Sequence, residues 1–74
     1  MKDIKVKQLT ENFDTHTGVT TVWFEVQVPG FEWTDHLLAL DKKTSDFLRG
    51  SKNFFKLTSE QRTEAIRLAQ ESLR

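Results

Sequence analysis

The chain reads as a small α+β domain. An N-terminal antiparallel β-hairpin, extendable to a three-stranded meander, packs on a C-terminal α-helix, with a second helix in the middle. Three observations predict this. Val22, Phe24, Val26 and Val28 alternate with Trp23, Glu25 and Gln27, the period-2 pattern of a strand with one buried face. Ile4 and Val6 repeat that pattern upstream, across a turn cluster at Asp14-Thr15-His16-Thr17-Gly18. Thr58 and Gln61 stand three residues apart before a helical stripe, the spacing of a capping box.

The hairpin follows from the turn. A loop centred near His16 pairs residues whose numbers add to about 32. Ile4 then faces Val28, Val6 faces Val26 and Gln8 faces Phe24, so both strands turn their apolar residues to one side. On the other side, Lys7 meets Glu25 and Leu9 meets Trp23, an ion pair and an apolar pair. A slip of one residue would destroy the agreement.

The C-terminal helix is expected from about Ser59 to Leu73. Glu60 lies in its first turn, where the helix dipole favours negative charge. Ala65, Ile66, Ala69 and Leu73 form one apolar stripe with Leu68 at its edge.

The middle supports two readings. Thr34 can cap a helix to about Arg49, with Leu37, Leu40, Thr44, Phe47 and Leu48 on one side and Gly50 as a left-handed cap. Alternatively, Pro29-Gly30 turns the chain into a third strand, Phe31 to Leu40, with Trp33 opposite Val26 and His36 opposite Trp23. Asp, His, Leu and Ala are weak strand residues, and propensity favours the helix. Ser51 to Leu57 is then a connector carrying Phe54 and Phe55 onto the core. The expected core is Val6, Val22, Phe24, Val26, Leu40, Phe47, Phe54, Ile66 and Ala69.

Residues 1–74 make one domain, and so short a chain buries only about 60% of its unfolded surface. It has no cysteine, hence no disulfide and no Cys-based zinc site. Six Phe and two Trp supply the packing instead. The N-terminus lacks a signal-peptide core, and no window resembles a membrane span. The expectation is a cytoplasmic protein away from membranes, of the small, motif-poor type common among bacterial and phage accessory proteins.

Eleven cations balance eleven acids, but unevenly. Residues 1–41 carry three lysines against seven acids; residues 42–57 carry Lys42, Lys43, Arg49, Lys52 and Lys56 against Asp46 alone. Neutral net charge argues against strong non-specific nucleic-acid binding. The basic middle, with Phe54-Phe55 between Lys52 and Lys56, keeps single-strand binding as the alternative function.

No motif dictates catalysis, a cofactor or a metal site. Asp14 and His16 offer two ligands where a site needs three or four. His36 beside Asp35 has no recognisable nucleophile, and Glu25 and Glu32 read as solvated residues rather than a glycosidase pair. The expectation is a non-enzymatic interaction module. Its candidate surface is Leu9, Phe13, Val19 and Trp23, on the hairpin face away from the core, with a protein partner or a second copy as its ligand.

Overall fold

The computed structural model describes residues 4–30 and 35–74. The expectations placed on Phe31, Glu32, Trp33 and Thr34 lie outside the described residues. Four antiparallel strands form a meander in chain order: β1 (Lys5–Asp14), β2 (Val19–Gln27), β3 (Leu37–Asp41) and β4 (Phe47–Gly50). A 3₁₀ turn (Phe54–Lys56) and the helix α1 (Ser59–Ser72) follow.

The α+β class and the hairpin hold, but the middle helix is replaced by β3 and β4. The physical reason lies in burial. Leu38, Ala39 and Leu40 are all fully buried, and a buried run of this kind suits an inner strand better than its weak propensities suggest. The alternative third strand is realised with a different register: Ala39, and not His36, lies opposite Trp23. Gly50 ends a strand instead of capping a helix.

Both hairpins close on the same kind of turn. In the first, Gly18 N–H donates to the Asp14 carbonyl at 2.7 Å, and the Asp14 carboxylate accepts His16 N–H at 2.8 Å. In the second, Ser45 N–H donates to the Asp41 carbonyl at 2.7 Å. The Asp41 carboxylate accepts from Lys43 N–H at 2.8 Å and Thr44 N–H at 3.2 Å. The fifth residue of each turn is left-handed: Gly18 at φ +75°, Ser45 at φ +67°.

The core lies between one sheet face and α1. Val22, Phe24 and Val26 of β2 and Leu38 and Leu40 of β3 meet Phe54, Leu57, Ala65 and Ala69. The alanines let the helix approach closely, while Ile66, Leu68 and Leu73 pack at its sides. Val6, Phe47 and Ile66 join this core half-buried instead of fully buried. Phe54 is buried as expected; Phe55 is not, with 54% exposure, although its ring stands edge-on to those of Phe47 and Phe54.

The expected capping box is complete. Thr58 Oγ1 accepts Gln61 N–H at 3.1 Å, and Gln61 Oε1 accepts Thr58 N–H at 3.0 Å. At the other end, Gln70 Nε2 donates to the Ser45 carbonyl at 2.8 Å and ties α1 to the β3–β4 turn.

Candidate interaction surface

Among the described residues, α1 and the 3₁₀ turn cover one face of the sheet and nothing covers the other. Strand alternation sends Trp23 to that open face. It stands half-buried near the middle, with Thr10 of β1 on one side and Ala39 of β3 on the other. Arg49 of β4 is the next neighbour across the sheet. Ala39 is fully buried although it belongs to this face. A short side chain between Trp23 and Arg49 is shielded by its long neighbours.

A β-bulge reshapes the hairpin beside Trp23. Pairs add to 32 from Lys5–Gln27 to Gln8–Phe24, then to 33 from Thr10–Trp23 to Asp14–Val19. Leu9 is the extra residue, so two residues of β1 stand against one of β2. Leu9 therefore stays beside Trp23, 44% exposed. Beyond the bulge the alternation is reset. Phe13 faces Thr20, not Val19, and turns to the opposite side of the ribbon from Val19 and Trp23. Of the expected cluster, Leu9, Val19 and Trp23 share the open face; Phe13, 63% exposed, does not. No local signal marks Leu9 as a bulge, because the alternation reads equally well without one.

The ends of the open face differ in charge. Lys5 and Lys7 lie toward the open end of the hairpin, with Glu25 opposite Lys7. Asp14 and Asp41 lie toward the turns. The expected Lys7–Glu25 pairing is present as register, but the ion pairs among the described residues are Lys42–Glu11, Arg67–Glu64 and Arg67–Glu71. A depression of about 410 Å³ opens at the turn end, between Trp23, Thr21, Arg49 and residues 12–15 of the hairpin.

The basic residues do not form one site. Lys42 is engaged with Glu11 at 2.7 Å. Lys42 and Lys43 sit in the β3–β4 turn, Arg49 on the open face, and Lys52 and Lys56 beyond the far end of β4. The strand between separates the two lysine pairs by roughly 13 Å along the sheet. Of the two rings between Lys52 and Lys56, Phe55 is exposed and Phe54 is buried in the core.

The two histidines are far apart in character. His16 is exposed in the first turn; His36, 1% exposed, is buried just before β3, where its carbonyl accepts Val26 N–H at 2.7 Å. Among the described residues, no group of three or more His, Cys, Asp or Glu converges as a metal site. No described helix is long and apolar enough to cross a membrane.

Fold and surface together define a helix-backed antiparallel meander with one face, centred on a tryptophan, that no described element covers. A scan against protein-family models, a search of curated proteins and a search of solved structures each found no match.

Proposed function

We propose that this chain is a non-catalytic protein-interaction module whose working surface is the open sheet face around Trp23. The observation that carries the reading is the position of Trp23: a large aromatic side chain, half-buried, on the face that no described element covers. Tryptophan is the residue most enriched among the anchors of protein contacts, because it offers a large apolar area at small entropic cost. Leu9 and Val19 extend the apolar surface, and Thr10, Thr21 and Arg49 supply a polar surround.

The sheet edges support a face, and not an edge, as the contact. Both outer strands are interrupted: β1 bulges at Leu9, and the β3–β4 register shifts so that Leu48 is passed over. Bulges and very short edge strands discourage strand addition by another chain.

Unfolding in urea at low protein concentration tests the reading. Trp23→Ala should cost the monomer well under half of what Phe24→Ala costs, for which about 3–5 kcal/mol is expected in a core. Equal losses would make Trp23 a residue of the fold and remove it as a working surface.

Nucleic-acid binding is the second reading. Its specific support is Phe55, an exposed ring between two lysines, the composition of a base-stacking platform. The separation of Lys42 and Lys43 from Lys52 and Lys56 weighs against it. Binding of a labelled single strand that falls steeply with salt and is lost in Phe55→Ala would establish it.

A further inference from the structure

We propose that the open face takes a second copy of this chain, packed sheet on sheet about a two-fold axis through Trp23, with the strands of the two copies antiparallel. The proposal rests on the reading of this face as the working surface and adds the partner and its orientation.

Charge polarity decides the orientation. Lys5 and Lys7, with Glu25 beside Lys7, occupy one end of the face, and Asp14 and Asp41 the other, with Trp23 between. A two-fold axis across the strands exchanges the ends, so Lys5 of each copy meets Asp14 of the other, Lys7 meets Asn12, and Asp41 lies over Leu37. An axis along the strands would instead exchange β1 with β3, laying Glu25 over its own counterpart and Asp14 toward the partner copy's Asp41. Opposite charges brought together fix register, and like charges in contact exclude the alternative. The chain as a whole carries equal numbers of cations and acids, so no net repulsion opposes the approach of a second copy.

The centre of the contact is apolar. On the axis Trp23 meets its counterpart, and offset stacking of two such rings is favourable. Leu9 and Leu37 flank it. Arg49 lies along the same axis, two strands from Trp23; packed sheets are rotated by about 30°, which carries the two Arg49 side chains about 5 Å sideways of each other.

Area sets the strength. Four strands about 4.8 Å apart, the longest about 30 Å, present roughly 500 Å² per copy and roughly 1,000 Å² in total. That is the lower bound for a specific contact, so the dimer should be weak and concentration-dependent, in about the micromolar to millimolar range.

Sedimentation equilibrium on the full chain over that concentration range tests the partner. A monomer–dimer equilibrium, weakened at least about tenfold in Trp23→Ala, is the expected result. A monomer throughout would overturn the second copy as partner. It would leave the working surface to be judged by the unfolding comparison of Trp23→Ala with Phe24→Ala. A dimer insensitive to Trp23→Ala would overturn both.

Orientation is tested by cross-linking, for which a chain without cysteine is well suited. Lys7→Cys and Asn12→Cys are mixed and treated with a short bismaleimide. Cross-links between position 7 and position 12 should exceed those between two copies of either variant. Dominant 7-to-7 linkage would overturn the antiparallel arrangement while leaving the working surface intact.

Discussion

The Phe54 ring lies directly against Gly50: a methyl group placed on Gly50 would stand 2.6 Å from Cδ2 of Phe54 and 3.3 Å from Cε2 of Phe55. Real carbon contacts essentially never show the first distance, and the second is tight enough that the Phe55 ring must give by a few tenths of an ångström. The glycine lets the chain leave β4 and bring Phe54 under the sheet, where it is fully buried and stacks at 5.7 Å on Phe47. Gly50→Ala should therefore destabilise the protein by about 1–3 kcal/mol, as overpacking does. Urea unfolding measures it. Coupling with Phe54→Leu provides the control: the double variant should lose less than the sum of the two single losses. Strict additivity would show that the contact is not the cause.

The two five-residue hairpin turns make a matched pair with unequal residues at the left-handed position. Gly18 occupies it without steric cost, whereas Ser45 carries a Cβ there. Gly18→Ala should cost about 1 kcal/mol. Ser45→Gly should be neutral or stabilising by up to about 1 kcal/mol, the relieved strain being partly offset by the looser unfolded chain. Thermal unfolding of the two variants should shift the melting temperature in these different directions. A clear loss in Ser45→Gly would contradict the strain argument.

Ser51 holds three segments through one hydroxyl. Its Oγ accepts Leu37 N–H at 3.0 Å and Phe54 N–H at 3.2 Å, and lies 3.2 Å from the Asp35 carbonyl, to which it donates. The entry to β3 and the 3₁₀ turn are thus tied at one point. Ser51→Ala leaves two part-buried donors unsatisfied and should cost about 1–3 kcal/mol. Amide exchange should quicken at Leu37 and Phe54 first; protection unchanged at both would refute the assignment.

Thr58→Ala removes one half of the capping box and should lower stability by about 1 kcal/mol. Thr58→Ser retains the accepting oxygen and should lose little. Far-ultraviolet circular dichroism during urea titration follows α1 in both variants.

The hairpin and the last helix were legible because each carries two agreeing local signals. Alternation in Ile4–Gln8 and Val22–Val28 agreed with the position of the Asp14–Gly18 turn, and the Thr58–Gln61 spacing agreed with the Ala65, Ile66, Ala69, Leu73 stripe. The middle lacked such agreement. Asp41-Lys42-Lys43-Thr44-Ser45 builds the same turn as Asp14-Thr15-His16-Thr17-Gly18, but serine stands where glycine would announce it. Leu37-Leu38-Ala39-Leu40 has no alternation, because both faces are shielded at its centre: Leu38 and Leu40 by the core, Ala39 by its neighbours on the open face. That burial is tertiary and leaves no periodic trace. The surface was legible in Trp23 and Leu9 and not in Phe13, since the bulge that turns Phe13 away has no local signature.

Acrylamide quenching of Trp23 fluorescence, in a Trp33→Phe background and across protein concentration, tests the central claim most directly. The account predicts a tryptophan that quenches readily when the protein is dilute and becomes shielded as concentration rises. Shielding at every dilution, with the fold intact, would place Trp23 inside the monomer and contradict the assignment of the open face as the working surface.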